Sequence, residues 1–540
     1  MNDTVYGTGA GHAFIARHIS LPVIILILLL QFVAVRDHSL WTPDEPREAE
    51  IVREMALSGD YLIPRFAGHP FLEKPPLYYV TAIAAYKVFG AHFQEAGRFA
   101  STLFGIATLL TAYFTTRRVH TDDTAELAAL ILGTFPLFFL ASHKILADVG
   151  LVFFITAAMC TFILAYKGLF RAGFTVFWLA VACAFLTKGI VGIAIPVMGV
   201  LVFTLLQRDF SILKKAKILQ GSLVILAVIL GWGYVLYARG GYDYLYTFYV
   251  YNQVGRFIPA GAIYQGGHVR PFFYYLTNVP VQTLPLSILL VPAFIRARSF
   301  SDTERFCCSW ILAGLLLLSF ASTKREIYFL PMYPAMAIII AYWMTQSLSR
   351  GLLIWEKHLL WGIMALLLLV AIALPIGYVG IMRGDLWKAF ALFTALVIVF
   401  LFLWERYRTM LPFLTVMCWS MTLILWIPAL FSKIDESKSY KQLFTEFGRI
   451  VSRKEVIGYK LTETVEALGP FYGGFPVINI EDDCQFINTL KGRQAEYVIM
   501  LPSRTDERLY REISSRARLV HKGGGGTRRE IELWKKHSSP

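Results

Sequence analysis

Two short runs of mixed charge, Thr42-Pro43-Asp44-Glu45-Pro46-Arg47 and Phe71-Leu72-Glu73-Lys74-Pro75-Pro76, follow the first apolar segment of the chain. Carboxylates and cations are costly beside lipid unless they face water, a partner or a substrate, so such a cluster at a membrane edge marks a functional site. The residue types define the chemistry available. A phosphate leaving group develops negative charge, which Lys74, Arg270, Lys188 and Lys324 can neutralise, while a carboxylate such as Asp44 can deprotonate an acceptor or grip a substrate amine. Asp148 stands at the mouth of an apolar run, and its side chain is too short to snorkel; Lys188, in Leu186-Thr187-Lys188-Gly189, is long enough to do so from a helix end. These groups suit transfer of a moiety carried on a lipid phosphate.

The elements that must bring them together are membrane spans. Of 540 residues 56% are hydrophobic and 16% charged, a balance foreign to soluble domains of this size. The first apolar run, Ile19–Val35, lies between Arg17 and Arg36 with no small-residue cleavage site behind it and reads as a retained anchor. Further runs near Gly97–Thr116, Thr124–Ser142, Val149–Tyr166, Phe174–Leu186, Ile190–Leu206, Ser222–Tyr237, Phe272–Phe294, Phe306–Phe320, Ile327–Met344, Leu359–Tyr378, Leu386–Leu403 and Leu411–Phe431 bring the total to about thirteen spans. The net charge of +14 is scattered over short loops, which excludes a nucleic-acid face and points to lipid head groups and phosphorylated substrates. Neither a disulfide framework nor zinc-type spacing is present: Cys160, Cys183, Cys307, Cys308 and Cys418 lie in apolar runs, and Cys484 is alone in the polar tail.

Cation-rich loops at Arg117 and Arg118, Lys167 and Arg171, Lys214 to Lys217, Arg296 and Arg298, and Arg406 and Arg408 alternate with the others, as cytoplasmic loops do. With a cytoplasmic N-terminus the alternation requires that Pro75–Gly90 does not cross. Asp44, Glu73, Lys74, Asp148, Lys188, Arg270 and Lys324 then converge on the external side. Asp44–Gly59 reads as a short amphipathic helix lying flat on the membrane surface, with Glu48, Glu50, Arg53 and Glu54 as its wet side. The tyrosine- and glycine-rich stretch Arg239–Arg270 reads as an external loop able to act as a lid, the alternative being an interfacial aromatic belt. From Ser432 the composition becomes soluble, with helices near Tyr440–Ser452, Thr462–Phe471, Asp483–Leu490 and Asp506–Ser515 alternating with five strand-like runs. The expected organisation is a membrane domain over 1–431 and a small external α/β domain over 432–540, with a hairpin turn at Gly523 to Gly526.

Asp44-Glu45-Pro46-Arg47-Glu48-Ala49-Glu50, Glu73-Lys74-Pro75-Pro76-Leu77-Tyr78-Tyr79, Leu186-Thr187-Lys188-Gly189, His268-Val269-Arg270-Pro271 and Tyr328-Phe329-Leu330-Pro331 resemble the aminoarabinose transferases of lipid A. Those enzymes, with the protein O-mannosyltransferases, belong to the GT-C class of polyprenyl-phosphate-sugar glycosyltransferases. The resemblance implies a polytopic α-helical membrane protein of GT-C type in the bacterial inner membrane. It implies a periplasmic site and C-terminal domain, an undecaprenyl-phosphate-linked sugar donor, and lipid A or another envelope acceptor. It implies Asp44 as the catalytic or substrate-gripping carboxylate with Glu73 across the same cavity, Lys74, Arg270 and Tyr328 on the lipid phosphate, Asp148 and Lys188 as polar cavity residues, and inversion at the anomeric carbon. With the charges read above, the expected site is catalysis by Asp44, Glu73 and Asp148 and substrate binding by Glu45, Arg47, Lys74, Lys188, His268, Arg270, Lys324 and Tyr328. The sequence around Ser322-Thr323-Lys324-Arg325-Glu326-Ile327-Tyr328 departs from the family pattern, which leaves sugar and acceptor open. A divalent cation near Glu73 is compatible with this reading, although no ligand cluster demands one. The rival readings are a transferase of the same class acting on a protein or another envelope glycan, and a transporter of lipid-linked sugars; no internal repeat supports the transporter.

Overall fold

The structure is a computed structural model describing residues 25, 27–28, 30–32, 35–90, 94–258, 268–382, 411–492, 496–525 and 528–537. Most of the expected run 19–35, all of 386–403, and 259–267 of the tyrosine-rich stretch lie outside the described residues. The site-bearing end of the chain begins with α1 (Glu45–Ser58), where Pro46 occupies the first turn and Gly59 ends the helix at φ 73°, a value that favours glycine. A two-residue hairpin, β1 (Arg65–Phe66) and β2 (His69–Pro70), leads to α2 (Leu77–Phe89). At 13 residues, α2 is too short to cross a bilayer.

The helical bundle follows: α3 (Arg98–Val119), α4 (Asp122–Thr134), α5 (Pro136–Ser142), α6 (Ala147–Tyr166), α7 (Gly173–Lys188), α8 (Val191–Gln207), α9 (Ile218–Leu245), α10 (Tyr274–Gln282), α11 (Leu290–Ile295), α12 (Asp302–Phe320), α13 (Tyr333–Ser349), α14 (Ile354–Met382) and α15 (Leu411–Lys438). Among the described residues five helices have the length and apolarity of a span by themselves, seven counting two bent pairs. The α4–α5 pair bends by 71° at Phe135, which precedes Pro136 and is therefore pushed out of helical geometry to φ −64°, ψ 118°. The second bent pair, Tyr274–Gln282 with Leu286–Ile295, turns by 113° beside Pro285. One apolar core runs through the bundle, built from residues such as Leu130, Ile155, Phe162, Trp310, Ile339 and Met344.

Of the stretch read as a lid, residues 239–254 are helical. They extend α9 through a kink at Gly240 and Gly241 into a π-helical turn over Tyr246–Val254. The helical period that would mark this is blurred, because Tyr242, Tyr246 and Tyr249 fall on one side and Tyr244 and Tyr251 on the opposite one.

After α15 come α16 (Lys441–Val451), β3 (Val456–Tyr459), α17 (Glu463–Leu468), β4 (Val477–Ile480), α18 (Asp483–Lys491), β5 (Tyr497–Met500), α19 (Glu507–Arg516), β6 (Ala517–Gly525) and β7 (Arg528–Lys536). The sheet order is β4-β3-β5-β7-β6, with β4, β3 and β5 parallel and β5, β7 and β6 antiparallel. Side chains alternate between its faces with the period of two that a strand imposes. Val456, Tyr497 and Ile499 face α16 and α17, while Ile457, Val498 and Met500 face α18 and α19.

The core on the α16 side does not stop at the domain. It continues into Ala49, Val52 and Met55 of α1 and Tyr78 and Tyr79 of α2. The apolar face of α1 is thus covered by protein and does not lie on lipid. Glu48 and Glu50, expected on a wet side, are fully buried; Glu50 is paired with Arg53 at 2.6 Å, and Glu48 faces the cavity described next.

Candidate active site

The start of α1, the Glu73-Lys74 turn, the start of α6, the end of α7, the π-helical turn and Arg325 to Tyr328 enclose a cavity of about 490 Å³. Asp44, Arg47, Glu73, Lys74, Asp148, Lys188, His268 and Tyr328 all line it, as do Glu48, Asn252, Arg256, Arg325 and, from α17, Glu463. Five carboxylates face five Lys or Arg side chains in this lining, so each cation is already matched.

Asp44 receives both terminal nitrogens of Arg325, one at 2.8 Å, and lies 3.7 Å from Arg47. Burial works to raise its carboxyl, but the hydrogen bonds and charge of Arg325, with Arg47 and Lys74 behind it, bring it down to about 2. Asp44 is consequently a fixed negative charge and a poor general base. Arg325 is correspondingly raised, most of all by its hydrogen bonds to Asp44. Burial also works upward on Glu73, and the guanidiniums of Arg256, at 3.0 Å, and Arg47 outweigh it to hold this carboxyl below its ordinary value.

Lys74 and Lys188 each have a carboxylate of their own. Lys74 donates to Glu48 at 2.5 Å, where Tyr79 also donates at 2.8 Å. Lys188 pairs with Asp148 and lies 4.5 Å from the centre of the Tyr328 ring. Local backbone geometry sets these positions. Gly189 has φ 79°, and a Cβ there would clash with Oε1 of Gln253, which accepts from the Ile190 amide at 3.0 Å. Asn252 and Gln253 in turn donate to the carbonyls of Leu72 and Glu73, at 3.0 and 3.3 Å, and pin the turn that carries Glu73 and Lys74. Glu463 reaches across from the C-terminal domain to Arg47 at 2.6 Å.

Three residues expected at the site are directed elsewhere. The Glu45 carboxylate is buried away from the cavity, receiving Arg98 at 2.7 Å and the amides of Trp41 at 2.9 Å and Ile145 at 3.1 Å. The Arg98 guanidinium also holds the carbonyls of His38 and Ser39, at 2.5 and 2.7 Å, so the pair fixes the loop before Asp44. Arg270 is exposed and lies over the Tyr274 ring at 5.9 Å. Lys324 is buried and caps the carbonyls of Ala321 and Arg270, at 2.6 and 3.2 Å. Arg325 is extended at φ −135°, ψ 151°, and Thr323 bridges Val269 antiparallel. In extended chain successive side chains point to opposite sides, so the cavity receives Arg325 where Lys324 was expected.

The cation expectation at Glu73 meets a guanidinium. No group of three His, Cys, Asp or Glu side chains suited to a metal occurs among the described residues, and a metal at Glu73 would have to displace Arg256. Lys74, Lys188, Arg256 and Arg325 bring positive charge to this cavity, and charge-assisted pairs of this kind recognise phosphate well.

Known proteins resemble this chain in sequence and in fold. The family profile described as dolichyl-phosphate-mannose-protein mannosyltransferase matches residues 18–240. The undecaprenyl phosphate-alpha-4-amino-4-deoxy-L-arabinose arabinosyl transferase of Aeromonas salmonicida is 30% identical over 337 residues, covering 61% of this chain and 60% of the relative. That of Sodalis glossinidius is 30% identical over 364 residues, covering 65% and 64%. The chain thus spans about 60% of the length of the first curated relatives. The crystal structure of ArnT from Cupriavidus metallidurans bound to undecaprenyl phosphate superposes with a TM-score of 0.77 at 21% identity, covering 95% of this chain and 98% of that one. The expected helical membrane bundle followed by a C-terminal α/β domain is the fold observed, and it is shared with that crystal structure.

Proposed function

We propose that this relative of the aminoarabinose transferases moves an amino sugar, 4-amino-4-deoxy-L-arabinose, from undecaprenyl phosphate to lipid A at the periplasmic face of the bacterial inner membrane. The observation that carries the reading is the convergence of Lys74, Lys188, Arg256 and Arg325 on one cavity beside the ionised Asp44. In the reaction an acceptor phosphate oxygen forms a bond to the anomeric carbon while the bond from that carbon to the undecaprenyl phosphate oxygen breaks. The electron pair leaves with the phosphate, and Lys74, Lys188 and Arg256 neutralise the charge it gains. An acceptor phosphate is already ionised near neutral pH and needs no base. Asp44 suits such a reaction, since a carboxylate held at about 2 can grip the sugar's ammonium or stabilise positive charge at the anomeric carbon.

The mannosyltransferase profile supports a second reading, in which the acceptor is a hydroxyl of a protein or of another envelope glycan. A hydroxyl must lose a proton, and the pairing of Asp44 with Arg325 makes it a weak candidate to take one. Mass spectrometry of lipid A separates the two readings. Gram-negative cells lacking their own transferase, with the aminoarabinose donor pathway induced, should gain lipid A carrying one added amino sugar when they express this chain. They should not gain it with Asp44→Asn, which should insert and fold normally. Unmodified lipid A with the intact chain in the membrane would turn the assignment toward the other acceptors.

A further inference from the structure

The C-terminal domain faces the membrane bundle with a second cavity, of about 850 Å³. That is room enough for a small ligand or a saccharide headgroup. Its position follows from the sheet. From β3 the chain goes to β4 on one side and later returns to β5 on the other, and the connecting helices cover opposite faces. In open α/β sheets such a reversal leaves a crevice at the carboxyl ends of the strands, where ligands bind. The loops leaving the carboxyl ends of β3 and β5, with Leu461 to Val465 and with Leu501 and Arg504, line this cavity. Its opposite wall comes from the membrane domain, as Thr42, Pro43 and His268. Pro43, His268 and Glu463 line both cavities, so the crevice opens beside Asp44.

The charge of the two spaces differs. In the first, every Lys or Arg has a carboxylate to match it. The second is lined by Lys438, Arg504 and Arg529, all exposed, and among the described residues none of the three is in an ion pair with a carboxylate. The Arg504 guanidinium donates to the Lys460 carbonyl at 3.2 Å. The single carboxylate of the lining, Glu463, is turned away onto Arg47. We propose that this crevice binds the anionic saccharide headgroup of the acceptor, held by Arg504, Arg529 and Lys438, while its reacting end passes Pro43 and His268 to reach Asp44. The proposal rests on the reading of an anionic glycolipid acceptor and gives the C-terminal domain the task of selecting it.

The test is binding to the full-length protein in nanodiscs, with two probes: the deacylated bisphosphorylated disaccharide of lipid A, and undecaprenyl phosphate. The double variant Arg504→Gln/Arg529→Gln should bind the disaccharide about ten-fold or more weakly than the wild type. It should bind undecaprenyl phosphate unchanged, which also reports an intact fold. Wild-type binding of the disaccharide should weaken with salt and vanish when both phosphates are removed. Equal disaccharide affinity in wild type and double variant, or no binding by the wild type, would overturn the crevice while leaving sugar transfer to be judged by mass spectrometry. Disaccharide binding through the two arginines without any modification of lipid A in cells would keep the crevice and sink the assigned reaction.

Discussion

Replacing Arg325 by Gln removes the partner that keeps Asp44 ionised. The Asp44 carboxyl is held at about 2 against an ordinary 3.8. At about 1.4 kcal/mol per pH unit this is worth about 2 kcal/mol, and only 21% of the Asp44 side chain remains in solvent to screen it. Because the folded-state value is depressed, this stabilisation is fully present above about pH 4 and is lost as pH falls through about 2. In Arg325→Gln the burial that works to raise the carboxyl loses its main opponent, and the group should titrate higher than in the wild type. The variant should therefore acquire an acid limb in its transfer rate at a higher pH than the wild type. The acceptor's phosphate monoester titrates near the same range, so the informative quantity is the ratio of variant to wild-type rate in detergent at each pH. It should fall steadily toward acid, and the thermal midpoint at pH 7 should drop. A ratio that stays flat from pH 8 to pH 4.5, with an unchanged midpoint, would refute the claim that Arg325 sets the charge of Asp44.

Three further outcomes follow from the geometry. If the proposed donor occupies the cavity, Arg256→Met should weaken undecaprenyl phosphate binding about ten-fold or more, measured in nanodiscs, because a cavity cation is lost and Glu73 is left without its Arg256 partner. Gly189→Ala should cost about 1–3 kcal/mol in thermal unfolding and slow transfer as well, since the strained φ of 79° and the close approach to Gln253 must both be relieved next to Lys188. Asp435→Ala should lower stability by about 1–3 kcal/mol, because the Ser39 amide at 2.8 Å, the Ser39 hydroxyl at 2.7 Å and the Trp41 indole at 2.8 Å all lose their acceptor. An unshifted melting curve would count against it.

Local signals made much of this structure legible. Pro46 and Gly59 bracket α1 within a residue of the expected ends, and the alternating pattern after Ser432 predicted the strands now seen as β3, β4 and β5. Membrane-edge charge led to Asp44, Glu73, Lys74, Asp148 and Lys188, since polar groups at such positions need a reason to be there. What escaped depends on neighbours distant in sequence. Nothing local separates Lys324 from Arg325; the extended backbone and the bridge from Val269 to Thr323 decide which one enters the cavity. Glu48 reads as the polar side of an amphipathic helix until Lys74 and Tyr79 are seen against it. Glu463 lies 416 residues beyond Arg47 in the chain, in a domain whose own composition gives no hint that it reaches a membrane cavity.

The shared core beneath α1 makes the two regions mechanically inseparable. Ile51, Val52 and Met55 are fully buried and belong to the cluster that also holds Phe444 and Phe447 of α16, and each such side chain is worth about 1.5–3 kcal/mol when shielded from water. A protease cut or premature stop after α15 would strip the cover from the helix that begins at Asp44. The cavity-lining start of that helix would then unravel with it, as one cooperative unit, even though every span of the bundle had been made.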